Sequence, residues 1–184
     1  MFIKVVQSLF FFLPGYIANM FPVVLTNVRW MQFLKKPVDC GVKIGKMSLF
    51  GEHKTYFGFL AGVFGGVVVG VLQGFLYEYS EGVRFLYFTP YSLHSGLFLG
   101  FLLGFGALFG DLIKSFIKRR FGIANGRPFF PFDQLDFVIG GLLFGTIVYS
   151  PTWDVVAILL VVSPFLHFLS NLLGYFLGLK KVWW

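Results

Sequence analysis

The stretch Gly110–Gly141, GDLIKSFIKRRFGIANGRPFFPFDQLDFVIGG, decides how the rest of the chain is read. It holds three of the eight acidic residues, Asp111, Asp133 and Asp136, together with the cations Lys114, Lys118, Arg119, Arg120 and Arg127. On either side it continues into apolar sequence, back to about Ser95 and on to Tyr149. Charges in such a setting lie at or just inside the edge of a membrane, whose core does not solvate them.

Composition agrees with that placement. The 184 residues are 57% hydrophobic, 21% aromatic and only 12% charged, with a mean hydropathy of +0.80, well outside the range of soluble domains. A helix crossing about 30 Å of hydrocarbon needs about 20 largely apolar residues. Five runs qualify, at about 2–28, 57–77, 95–117, 134–150 and 152–179, which predicts an all-α integral membrane protein of one domain, 1–184, with cytoplasmic loops 29–56 and 118–133. The first run is expected to stay as a helix kinked by Pro14, Gly15 and Pro22, since it is longer than the apolar core of a signal peptide and lacks a cleavage site.

The cations orient the chain. Arg29, Lys35, Lys36, Lys43, Lys46 and Lys54 follow the first run; Lys114, Lys118, Arg119, Arg120 and Arg127 follow the third; Lys180 and Lys181 follow the fifth. Thirteen of the fifteen thus fall on one side of a five-helix topology, so the N-terminus is expected outside and the C-terminus in the cytoplasm, in the cell membrane. The net charge of +7 fits that bias and also suits an anionic headgroup or polyanionic substrate; no nucleic-acid partner is expected. The single cysteine, Cys40, excludes an intramolecular disulfide and a Cys-rich metal site. Glycines at 58, 62, 66, 70 and 74 in the second run, and at 96, 100 and 104 in the third, make smooth ridges. Those ridges can pack on each other or across a homodimer interface.

Asp111 precedes Arg119 by eight residues, so it sits about 12 Å inside the charged edge. A carboxylate at that depth needs a cation, a metal or water. Positions 111, 114, 115 and 118 share a helical face, which forms a polar stripe from Asp111 through Lys114 and Ser115 to Lys118; a structural pair of Asp111 with Lys114 or Ser115 is the plainer alternative. Asp133 and Asp136 at i, i+3 spacing can share a hard cation such as Mg²⁺, or form a capping box. Alongside Asp111 the metal reading is preferred. Lys54 and Thr55, at a helix start after Gly51, can hold phosphate or can be an interfacial lysine with a Thr N-cap. Asn19, and His167 one turn from Asn171, read as helix-packing polar groups or as a second layer around the site.

Carboxylates for Mg²⁺ beside a cationic cluster at membrane depth are equipment for phosphoryl or nucleotidyl transfer. No Ser-His-Asp or Cys-His arrangement is present, and a base is dispensable if the nucleophile is an ionised lipid phosphate.

The order Gly110-Asp111, Ser115, Lys118-Arg119, then Asp133-Gln134-Leu135-Asp136 resembles the C-terminal signature of the CDP-diacylglycerol synthases. The compact form, with Phe109-Gly110-Asp111 and Ser115-Phe116-Ile117-Lys118-Arg119-Arg120, is more similar to the CDP-archaeol synthase branch. Pro14-x-Tyr16-x-Ala18-Asn19-x-x-Pro22, Lys54-Thr55 with Gly58, Pro164-x-x-His167-x-x-x-Asn171 and Leu177-Gly178-Leu179-Lys180 extend the likeness over nearly the whole chain. It departs at Gly51-Glu52-His53-Lys54-Thr55, where a Gly-Asp-Gly-Lys-Thr-like segment is expected, and at Trp183, where a proline is usual.

The resemblance implies a CTP-dependent cytidylyltransferase that converts a lipid phosphate, digeranylgeranylglyceryl phosphate or similar, to a CDP-activated lipid and pyrophosphate. Phosphatidate is the alternative substrate. Asp111, Asp133 and Asp136 are then metal ligands, with Mg²⁺ as cofactor and room for a second, monovalent cation. Lys118 and Arg119 join the catalytic set, while Lys54, Thr55, Lys114, Ser115 and Arg120 bind CTP or lipid phosphate. A CDP-alcohol phosphotransferase is disfavoured because its Asp-Gly-x-x-Ala-Arg element is absent. A small ion-coupled carrier and a membrane scaffold are the readings from other classes.

Overall fold

The first apolar run is broken where proline requires it. Helix α1 (Phe2–Phe11) and helix α2 (Leu13–Val24) meet at Phe12, bent by 53°. Pro14 stands in the first turn of α2, where its missing N–H costs nothing but where it prevents the ladder of α1 from continuing. The kink expected from the sequence is thus present and located.

The structure, a computed structural model, describes residues 1–25, 35–45, 47–124 and 126–178. The expected cations Arg29, Lys46, Lys180 and Lys181, and the departure at Trp183, lie outside them. After α2 come a short hairpin of β1 (Lys43–Ile44) and β2 (Met47–Ser48), then α3 (Tyr56–Tyr79), a 3-10 turn (Glu81–Leu86), α4 (Leu93–Arg120), α5 (Phe132–Gly145) and α6 (Trp153–Phe176). The architecture is an all-α, multi-pass membrane bundle. Among the described residues three helices, α3, α4 and α6, are long and apolar enough to span, and the bent α1–α2 pair makes a fourth if it counts as one crossing. The run expected at 134–150 is shorter than anticipated. Helix α5 has 14 residues, about 21 Å of rise against about 30 Å of hydrocarbon.

Helix α4 is the axis of the bundle. Ser92 and Ser95 cap its start reciprocally, and Lys118, Arg119 and Arg120 occupy its last turn, where they complement the helix dipole. Against α3 it packs backbone on backbone. A Cβ on Gly100 would lie 2.6 Å from the Gly66 carbonyl, and one on Gly66 would lie 2.9 Å from the Gly100 carbonyl. The two glycine ridges therefore meet inside one chain. Of the two alternatives for these ridges, packing on each other is the one that the structure shows.

On its other side α4 meets α5 in the same manner, with Gly106 against Gly140 and Gly141, and Gly110 against the backbone of Asp136 and Gly140. Phe12, fully buried at the α1–α2 break, fills the space left by Gly15 and Gly141; a Cβ at either would come within 2.7 Å of its ring. Around it Leu103, Phe137, Val138, Val155 and Leu159 complete the core.

Helices α3 and α4 run antiparallel. Gly62 faces Leu108 while Gly74 faces Leu93, so the start of α3 and the end of α4 share one end of the bundle. Residues from the ends of α2 and α6 line a cavity with Lys54 at that same end.

Candidate active site

At this end, three carboxylates and three lysines form one ion network. Helix α4 supplies Asp111, Lys114 and Lys118, successive polar positions on one face. Helix α5 supplies Asp133 and Asp136 in its first two turns, and the segment before α3 supplies Lys54. Lys114 Nζ lies 3.1 Å from Asp111 Oδ1, 2.9 Å from Asp133 Oδ1 and 3.1 Å from Asp136 Oδ2. Lys118 Nζ holds both oxygens of Asp133, at 3.1 and 3.0 Å. Lys54 Nζ pairs with Asp111 Oδ2. The Asp136 side chain is only 5% exposed and that of Lys114 14%, so each charge depends on its partner rather than on water.

Backbone geometry sets this register. Because Gly110 has no side chain, α4 comes to rest on the peptide of Asp136, and the next residue, Asp111, is delivered beside the α5 carboxylates. The capping-box alternative for Asp133 and Asp136 is not realised. Pro131 is the N-cap of α5 and makes no side-chain cap, and Asp133 Oδ2 instead accepts from the Phe129 N–H at 2.6 Å. Among the described residues no group of three His, Cys, Asp or Glu side chains stands ready as a metal cage; the three carboxylates converge on an ammonium.

The remaining expected residues separate into groups. Thr55 is the N-cap of α3, its Oγ1 accepting from Gly58 N at 3.1 Å. Ser115 is buried but takes no part in the ion network. Arg119, also buried, donates to the Ile123 carbonyl and so closes the end of α4. Arg120 points elsewhere, donating to the Ser48 carbonyl at 2.9 Å and covering the Phe116 ring. Helical periodicity was the available signal, since nine residues place Arg120 about 180° around the helix from Asp111.

Beside the network lies a cavity of about 480 Å³. Its polar wall carries Lys54, Thr55, Asp111, Asn19, His167 and Asn171, so the three residues expected around the site do reach it. Met20, Val23, Leu112, Leu173 and Leu177 form its apolar wall. An amphiphile with an anionic head fits such a space by chemistry: hydrocarbon against the one wall, charge against Lys54.

Two features escape the sequence reading. One is the second glycine seam, Gly106 and Gly110 against Gly140 and Gly141, visible as glycines in apolar helices but without an unbroken four-residue period. The other is Asp39, 6% exposed, whose carboxylate accepts from Gly41 N at 3.0 Å, Phe50 N at 3.0 Å and Gly51 N at 3.4 Å. Burial works against its ionisation, but the N–H groups of Phe50, Gly41 and Gly51 prevail and hold the carboxyl below the ordinary aspartate range. The Asp39-Cys40-Gly41 turn was the signal.

Comparison with known proteins gives the arrangement a context. The CDP-archaeol synthase family (CarS-like) matches residues 1–184. The CDP-archaeol synthase of Methanocaldococcus jannaschii is 37% identical over 178 residues, 96% of each chain. That of Thermococcus kodakarensis is 39% identical over 178 residues, 96% of this chain and 95% of its own. A solved structure, described as an intramembrane enzyme for archaeal membrane lipids biosynthesis, superposes with a TM-score of 0.72 at 32% identity, covering 91% of this chain and 94% of its own. With a match along its full length and relatives covered nearly end to end, the chain belongs to the CDP-archaeol synthase family.

Proposed function

We propose that the ion network and the adjoining cavity are the site at which this chain joins CTP to an isoprenoid ether lipid phosphate of the digeranylgeranylglyceryl type. The protein is a cytidylyltransferase of membrane lipid synthesis, producing a CDP-activated archaeal lipid and pyrophosphate. One observation carries the assignment to this site: Asp111 and Lys54 belong at once to the buried ion network and to the wall of an amphiphilic cavity.

The lipid chains lie along the apolar wall, and the phosphate meets Lys54. An oxygen of that phosphate, already ionised, attacks the α-phosphorus of CTP. A P–O bond forms as the bond from the α-phosphorus to the α,β-bridging oxygen breaks, and pyrophosphate departs. Lys114 and Lys118 offset the charge gathering on the leaving group. Thr55, on the cavity wall, is placed to serve as a supporting donor, and Arg119 and Arg120, in the last turn of α4, add positive potential to that end of the bundle.

Magnesium suits the donor set. Asp111, Asp133 and Asp136 turn hard oxygens towards a single point, held by Lys114 Nζ, and Mg²⁺ characteristically takes one or two protein carboxylates and completes its shell with phosphate and water. Asp133, held as well by Lys118 and by the Phe129 N–H, is the carboxylate that would bind through water. When bound, the ion supplies charge neutralisation of the phosphate oxygens.

The catalytic end faces the cytoplasm of the cell membrane, with the N-terminus outside and one domain spanning 1–184. Support comes from Lys54, Lys114, Lys118, Arg119 and Arg120 sharing one end of the bundle. Five crossings result if α1–α2 is one bent span and α5 a short one seated between α4 and α6.

The test is purified protein with radiolabelled CTP and Mg²⁺, offered digeranylgeranylglyceryl phosphate and a phosphatidate separately. Labelled CDP-lipid with the ether substrate is expected at the higher rate. A higher rate with phosphatidate would reassign the substrate, and no product from either in folded protein would reject the reading.

A further inference from the structure

The lysine that reaches the cavity comes from a loop, and the loop is tied together by a residue outside the ion network. Lys54 N donates to the Gly51 carbonyl at 3.1 Å, so its position follows the turn at Gly51. Gly51 has a φ of 108°, a conformation that side-chain-bearing residues rarely take. What holds that turn is Asp39, which receives the N–H groups of Phe50 and Gly51 on Oδ2 and that of Gly41 on Oδ1. Both ends of the loop are also stitched: Val38 N donates to the Lys54 carbonyl at 2.7 Å, and Tyr56 N to the Lys36 carbonyl at 3.1 Å. Its far end, the β1–β2 hairpin, is moored to α4 by Arg120 at the Ser48 carbonyl.

We propose that Asp39 is a positioning residue for Lys54: by closing the Gly41 and Phe50–Gly51 turns onto one buried carboxylate, it sets the loop so that the Lys54 ammonium stands at Asp111 on the cavity wall. Inside this loop the turns themselves are held by charge-assisted hydrogen bonding to backbone, while the Phe50 ring rests against Phe116 of α4. Asp39 spends its carboxylate on the backbone of Gly41, Phe50 and Gly51; it acts through Lys54. The functional half of this inference rests on the reading that Lys54 meets phosphate in the cavity.

The experiment combines a labelling measurement with kinetics on the full chain in detergent. An amine-reactive ester is applied to wild type, Asp39→Asn and Asp39→Glu, and peptide mass spectrometry gives Lys54 labelling relative to exposed Lys43. In Asp39→Asn the ratio is expected to rise on the order of tenfold, because a charged acceptor of three N–H groups is lost. Lys114 and Lys118 should stay protected, the KM for the lipid phosphate should rise by a similar factor, and kcat should change little. Asp39→Glu, which keeps the charge, should recover much of the protection. Unchanged Lys54 labelling overturns the inference even if activity falls. A parallel rise at Lys114 and Lys118 also overturns it, because it would mean that Asp39 supports the bundle as a whole. Since labelling needs no turnover, absence of CDP-lipid synthesis in wild type would reject the proposed function without touching this result.

Discussion

The two glycine seams along α4 use one device for different ends. Towards α3, Gly96, Gly100 and Gly104 meet Gly66 and Gly70; the atoms that meet there are mainly backbone, and the close approach simply builds the bundle. Towards α5, Gly106 and Gly110 meet Gly140, Gly141 and the peptide of Asp136, and the same closeness fixes how far apart two carboxylates stand. A seam of bare backbone is stiff, because there is no side chain to repack. Where such a seam ends at charged residues, its stiffness becomes precision at the site.

That contrast can be broken or sharpened by substitution. The largest effect is expected from Asp136→Asn, which retains shape and removes charge from the end of the α5 seam. Turnover should fall by about a thousandfold or more, with the thermal midpoint in detergent close to that of wild type; near-normal CDP-lipid synthesis would remove Asp136 from the site. Gly110→Ala comes next. Its methyl carbon would stand 3.0 Å from the Asp136 carbonyl carbon and 3.2 Å from the Gly140 Cα, so α5 must shift. Because displacement of about 1 Å can cost on the order of a hundredfold in rate, kcat should drop by about that factor in protein that still folds.

Gly100→Ala is the matched control on the α3 seam, with its methyl 2.6 Å from the Gly66 carbonyl oxygen and 2.9 Å from the Gly70 Cα. Here the cost should appear in stability, about 1–3 kcal/mol of overpacking, while the folded fraction retains most of its kcat. If both alanines damage rate and stability in equal proportion, the division of labour between the seams is wrong. Thr55→Ala, at the start of α3, removes a cap worth about 1 kcal/mol and should lower the thermal midpoint by a few degrees.

The smallest effect concerns acidity. Asp39 is held ionised below its usual range, so its contribution is complete above the unfolded aspartate value of about 3.9 and is lost as pH falls through the lower folded value. Amide exchange at Phe50 and Gly51 should therefore be insensitive to pH near neutrality, after correction for intrinsic rates. It should accelerate only below about pH 4, and Asp39→Asn should abolish that step.

How much of this was legible in the sequence depends on the range of the interaction. Asp111, Lys114 and Lys118 share a face by helical arithmetic alone, and Asp133 with Asp136 declared itself by spacing; the structure brings all five together. Kinking of the first run followed from Pro14. Other features required knowing which helix lies against which. Glycine ridges in the second and third runs fit either a neighbour or a second copy, and only the packing of α3 on α4 decides. Gly110 looked like part of a motif because its partner, the Asp136 peptide, is 26 residues away in sequence. Asp39 sits in a polar loop with no periodicity to mark it, and its importance lies in N–H groups of residues 50 and 51. Helix α5 was drawn too long because apolar character continues to Tyr149 after helical geometry ends at Gly145.

The three aspartates and three lysines cancel, charge for charge. A chain emerging into a membrane in a cell short of free magnesium would therefore meet no electrostatic obstacle to assembling this end of the bundle, which brings its own counter-ions. Folding and loading become separate events. A chelator should silence such an enzyme without dismantling it, and returning the ion should restart it without any need to refold.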